Sequence, residues 1–174
     1  EVTRVLSLVF VDSLRHTQLS LAKLVTMLPK EKFCNMSKRF DEKELDLFSR
    51  EGGYPYEYLD SFEKFEETSL PPVSEFNSRL GCGGVYKEEG EADEIGHEQI
   101  FQEDHKHACK VFKELGCKNF GEYTELYCLT DAFLLKDVFE AYRERCMNAY
   151  RLDAAHYLTS PSMAQDAMLK MTGA

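Results

Sequence analysis

One stretch constrains this chain more than any other. Across residues 123–150, Leu126, Leu129, Phe133, Leu134, Val138, Ala141 and Tyr142 form a broad apolar stripe at helical spacing. As a helix it runs roughly 40 Å at the standard rise per residue, and the rest of the chain must pack along it. A second helical stretch, residues 105–115, closes on Gly116 as a natural C-cap. Ser160 and Pro161 set the start of a third, over residues 162–171, which Gly173 ends.

Earlier in the chain, residues 5–11 are apolar and β-branched in a continuous run, the pattern of a strand covered on both faces, which Asp12 and Ser13 end. Leu19, Leu21, Leu24, Val25 and Leu28 then approximate helical spacing, with Ser20 as N-cap and Pro29 as stop. Gly52, Gly53 and Pro55 punctuate the chain before the alternate aromatics Tyr54, Tyr56 and Tyr58. Core packing of those three and stacking on a ligand fit the pattern equally. From Pro71 to Asp104 the composition is that of an insertion or exposed connector.

With 174 residues, 43% of them hydrophobic, the chain can bury a core. No apolar run is long enough to span a bilayer. The net charge of −10 argues against autonomous nucleic-acid binding, but it is unevenly spread. Residues 57–104 hold fourteen acidic side chains against Lys64, Arg79 and Lys87, so the flanks are near neutral and free to meet a phosphate backbone. Six scattered cysteines without a CxxC pair point to reduced thiols inside a cell. His105, His107 and Cys109 are a weak metal candidate, because zinc wants four ligands and no partner pair is visible.

Chemistry enters at Tyr127 and Asp131, four apart on the long helix and therefore on one face. A metal-dependent nuclease needs such an arrangement: a carboxylate for a divalent ion, and a phenol one turn away to hold the attacking water. Alone, the pair equally describes a half-buried tyrosine beside a solvated aspartate.

The surrounding text narrows the choice. YCLTDAFLLKDVFEAYR, residues 127–143, resembles the third exonuclease motif, a Tyr and an Asp separated by three residues, of family B DNA polymerases. The form is that of the protein-primed polymerases of viruses, linear plasmids and Maverick/Polinton-like transposons. Three further blocks follow the family in order: LVFVDSLRHTQLSLAKLV at 8–25, GGYPYEYLDSFEKFEETSLPP at 52–72, and AYRLDAAHYLTSPSMAQDAMLKMTG at 149–173.

The resemblance implies an α/β, helix-dominated fold, the C-terminal part of a ribonuclease-H-like 3′-5′ exonuclease domain leading into the polymerase domain. Residues 1–150 would belong to the exonuclease, with 57–104 as its acidic insertion, and residues 151–174 would begin the polymerase. It implies that Asp131 binds Mg2+ or Mn2+ and that Tyr127 orients the attacking water. Ser13 and Leu14 match a Ser-Leu motif that contacts single-stranded DNA and, in protein-primed members, the terminal priming protein, and Tyr56 falls where an aromatic stacks near the primer end. The implied partners are a single-stranded 3′ end, primer-template and deoxynucleotides, with no membrane.

One departure is Glu51, where the family often carries lysine. The remaining metal carboxylates are expected upstream of Glu1 and the polymerase carboxylates beyond Ala174, so this stretch alone is expected to be inactive. Two other readings fit the chain less fully: a non-catalytic DNA- or protein-binding remnant of a decayed polymerase, and an unrelated helical interaction domain.

Overall fold

The computed structural model describes residues 9–50, 52–76 and 94–173, excepting the side chains of residues 94–101. In chain order the helices are α1 (Leu14–Thr17), α2 (Leu21–Thr26), α3 (Met36–Arg39), α4 (Glu42–Phe48), α5 (Glu94–Glu114), α6 (Phe120–Tyr150) and α7 (Ser160–Thr172). Short 3-10 turns lie at Lys30–Lys32, Tyr56–Tyr58, Phe62–Glu66, Val73–Phe76 and Ala154–His156. The protein is thus helix-dominated, and among the described residues there is no β-strand. Most of the strand expected over residues 5–11 lies outside the described residues. Its described part is irregular, and Val9 and Phe10 are exposed, with no cover on either face.

Two compact units divide the chain: Ser20–Val138, and Glu1–Leu19 together with Phe139–Ala174. The division falls within α6, twelve residues before the domain junction expected at 150–151.

In Ser20–Val138, local chemistry starts α2, α4 and α6. The Ser20 side chain accepts from Lys23 N at 3.5 Å and caps α2. Asp41 and Glu44 form a capping box on α4, with Asp41 accepting from the Lys43 and Glu44 amides and Glu44 accepting from Asp41 N. Asn119 accepts from Glu122 N at 2.8 Å, so α6 begins at Phe120, three residues before the apolar stripe. Gly121 inside its first turn lets the Phe62–Glu66 turn lie close: a Cβ there would stand 3.1 Å from Phe65 O.

α5 ends as expected on Gly116, whose φ of 66° is left-handed, with Cys117 N bonded back to Phe112 O at 3.0 Å. Its start at Glu94 makes the end of the acidic stretch helical. The stretch's other described part also has structure, since Phe76 is buried and Tyr58, Leu59, Phe65 and Leu70 pack on the core.

That core joins α2, α3, α4 and α5 to α6 through Val25, Met36, Phe48, Ala108, Val111, Phe120 and Leu134. Within it sits Asp137, 1% exposed. Its carboxylate accepts from Asn35 N at 2.8 Å, Asn35 Nδ2 at 2.6 Å and Met36 N at 3.0 Å. α3 is a single turn with no cap of its own side chains. A carboxylate from α6 supplies the acceptor at its positive end, which is how a buried charge is made tolerable.

The other unit has a smaller core of Cys146, Ala154 and Met163, with Tyr142 and Tyr157 against it. Arg143 grips Asp153 through two parallel bonds of 2.8 and 2.6 Å, holding the turn after α6. Thr159 caps α7, Pro161 sits in its first turn and Gly173 closes it at φ 73°. In α1, the buried His16 ring meets Phe139 edge-on at 5.7 Å and lies 6.0 Å from Tyr142.

Asp137→Ala leaves three donors without an acceptor, the Met36 amide buried and the two of Asn35 part-buried, each costing about 1–3 kcal/mol when shut off from water. The expected loss is roughly 3 kcal/mol or more, read as a fall of about 6–12 °C in Tm by circular dichroism. An unchanged Tm would show that the three bonds contribute nothing net.

Candidate functional site

Tyr127 and Asp131 lie one turn apart on α6, in the Ser20–Val138 unit. Three supports fix the Tyr127 ring. Tyr54 stacks on it with centroids 4.7 Å apart at 25°. The Tyr56 ring meets it edge-on at 6.2 Å and 80°, and the two hydroxyls are 2.6 Å apart. From Gly52, a Cβ would lie 3.6 Å from the ring, in ordinary contact, so the loop backbone passes close by.

Those supports are themselves anchored. Tyr54 is 5% exposed, stacks also on Phe120 and Tyr123, and its hydroxyl pairs with Thr124 Oγ1 at 2.9 Å. Thr124 Oγ1 in turn donates to Phe120 O, which leaves Tyr54 as the donor in their pair. Tyr123 donates to Gly53 O at 2.9 Å and ties the Gly52–Gly53 turn to α6. From the far side α5 presses on the same turn: a Cβ on Gly53 would come within 2.5 Å of Asp104 Cβ, so only glycine fits. The 3-10 turn Tyr56–Tyr58, with Tyr58 N bonded to Pro55 O at 3.2 Å, then sets the direction of the Tyr56 ring.

Burial dominates the electrostatics of the site. Burial, then the Asp131 charge beside it and hydrogen bonds to Tyr56 and Asp131, push the Tyr127 phenol far above its ordinary range. Behind the site, Asp104 pairs with Arg50; burial raises the Asp104 carboxyl even against that cation, and burial lowers the His107 imidazole. His107 Nε2 donates to Leu47 O at 2.9 Å. Arg50, Gly52, His107, Tyr127 and Thr130 line part of a cavity of about 20 Å³, room for one water. A substrate therefore has no space on that side of Tyr127. Tyr56, 36% exposed, marks the outer side.

Of the five residues singled out in the sequence, Tyr56, Tyr127 and Asp131 come together here. Ser13 and Leu14 belong to the other unit, where Ser13 O accepts from His16 N and Thr17 N and Leu14 is exposed. Tyr54 is core and Tyr58 half-buried, so the three alternate aromatics divide between packing and exposure. His105 and His107 part company: His105 Nε2 meets Pro71 O at 3.1 Å, with the Cys109 thiol beside its ring, whereas His107 turns to Leu47. Among the described residues no three His, Cys, Asp or Glu side chains converge as a metal site. Glu51 lies outside the described residues.

Two participants escaped the sequence reading. Asp137 could have been found as an acidic residue between Leu134 and Val138 on the apolar stripe. The Arg50–Asp104 pair, 54 residues apart in the chain, left no signal in spacing.

Tyr54, Tyr123 and Tyr127 all hold their protons above the ordinary phenol value of 10.0, each chiefly because of burial. In the unfolded chain the same groups ionise near that value. Their contribution to stability is therefore whole below about pH 10 and is lost as pH rises beyond it. Denaturant titrations at rising alkaline pH should show the midpoint falling above that point, and Tyr127→Phe should blunt the fall.

No family model, curated protein or solved structure matches this chain.

Proposed function

We propose that this chain is an internal part of a family B DNA polymerase, from the later half of a ribonuclease-H-like α/β 3′-5′ exonuclease domain into the start of the polymerase domain. The parent acts in replication of viral or mobile-element DNA. The observation that carries the reading is the Tyr127–Asp131 pair on one face of α6, with the Tyr56 hydroxyl 2.6 Å from Tyr127, inside a stretch resembling the third exonuclease motif. Four blocks in family order support it.

Asp131 offers a hard oxygen ligand of the kind Mg2+ or Mn2+ prefers, and it is half-buried one turn from the Tyr127 phenol. Bound there with further ligands, such an ion supplies charge stabilisation for phosphodiester hydrolysis. The part of this chain is to hold and orient. Asp131 fixes one ligand oxygen; Tyr127, clamped between Tyr54 and Tyr56, directs its hydroxyl at the place where a water must stand. Ser13 and Leu14, with Leu14 exposed, and the outward edge of Tyr56 are the contacts assigned to single-stranded DNA. A priming protein is a further partner of Ser13 and Leu14.

One carboxylate cannot hold two ions, so the isolated chain degrades no DNA. In the full-length protein that carries this segment, Asp131→Ala should abolish degradation of a single-stranded 3′ end and leave primer extension largely intact. Tyr127→Phe should cost less, on the order of 1–3 kcal/mol in activation free energy. Full degradation by the Asp131 variant overturns the site. Absence of primer extension by the unmodified protein overturns the polymerase reading.

A further inference from the structure

We propose that Tyr56 is a positioning residue for Tyr127: its hydroxyl, 2.6 Å from the Tyr127 hydroxyl, is bonded to it and fixes where the Tyr127 oxygen stands beside Asp131. This inference rests on the exonuclease reading of Tyr127 and Asp131. It adds, to the ring edge assigned to single-stranded DNA, a role carried by the hydroxyl.

The two hydroxyls lie 2.6 Å apart, a short hydrogen bond in which either oxygen can donate. Asp131 stands one helical turn from Tyr127, on the same face of α6. The bond to Tyr56 therefore fixes the Tyr127 hydroxyl on the face of the helix that carries the carboxylate. Without Tyr56, the phenol's torsion loses that constraint.

The surroundings of Tyr56 suit this role. Its ring meets Tyr54 at 5.1 Å and 66° and Tyr127 at 6.2 Å and 80°, so two neighbours already abut it at steep angles. It is 36% exposed, with the hydroxyl turned to Tyr127. Pro55 on one side and the 3-10 turn Tyr56–Tyr58 on the other hold its backbone, and Tyr56 N is bonded to Tyr54 O at 3.1 Å. A residue so fixed can aim a hydroxyl to within a few tenths of an ångström, the tolerance that orientation in catalysis demands.

The test uses the full-length protein, with single-turnover degradation of a single-stranded 3′ end, affinity for that strand, and primer extension measured for each variant. Phenylalanine keeps the ring and removes only the hydroxyl. Tyr56→Phe is expected to slow degradation about tenfold with strand affinity and primer extension unchanged. The double variant Tyr56→Phe, Tyr127→Phe should be no slower than Tyr127→Phe alone, because Tyr56 acts only through Tyr127. Degradation at the unmodified rate by Tyr56→Phe overturns the proposal, as does a double variant slowed by the product of the two single effects. Weakened strand affinity in Tyr56→Phe also overturns it, in favour of direct DNA contact. Asp131→Ala is the control on the reading beneath: if that variant still degrades DNA, the exonuclease assignment fails first.

Discussion

The stack centred on Tyr54 is the interaction on which the rest depends. One ring packs against Phe120, Tyr123 and Tyr127, three successive positions along the first two turns of α6, and its hydroxyl reaches Thr124 between them. Aromatic contacts of this kind are worth about 0.5–1.5 kcal/mol each beyond the area they bury. Their larger effect here is geometric. They bind the loop at Gly52–Tyr58 to α6 in one register, and every distance around Tyr127 inherits that register. The bond from Tyr123 to Gly53 O locks it from below, and the approach of Asp104 to Gly53 leaves the loop no room to slide.

The site is thus supported mainly by rings and backbone, with its charges set behind or beside it. Burial keeps the phenols protonated and keeps Asp104 and His107 away from their ordinary ranges, so the ionic groups near Tyr127 are poised by desolvation more than by their partners. The cavity behind Tyr127 admits a water and nothing larger, which directs any polymeric ligand to the Tyr56 side. In the other unit, a groove of about 720 Å³ between α6 and α7 has Arg145 as its single charged lining residue, among Tyr142, Tyr150 and apolar and small ones.

How much of this could be read from the sequence depended on how local the cause was. Ser20, Gly116, Pro161 and Gly173 act within a turn of where they stand, and their helices end or begin there. The long helix followed from its stripe, but Asn119 and Gly121 moved its start back to Phe120. The acidic stretch looked like a connector because its charge hid Phe65, Leu70 and Phe76, which reach the core from 3-10 turns and the irregular segment between them, where there is no periodicity to detect. Residues 9–11 look like a buried strand by composition, yet a strand exists only where a second one pairs with it, and pairing is not written in the run itself. In the site, the helical spacing of Tyr127 and Asp131 was legible; the neighbour at Tyr56 was visible as an aromatic, but its hydroxyl bond could not be, since it joins positions 71 residues apart.

Asp137 has a consequence for the order in which the molecule can be made. α3 is four residues long, far below the length at which a helix sustains itself, and its acceptor stands 102 residues later in the chain. On a ribosome, Asn35 and Met36 emerge well before the carboxylate that satisfies their amides, and Met36, fully buried at the end, waits exposed for the same interval. Synthesis at about 5–20 residues per second makes that a wait of roughly 5–20 s. During it, a methionine and two free amides are open to whatever else is nearby, so for this protein the dangerous moment lies between the two halves of one hydrogen-bonded cluster.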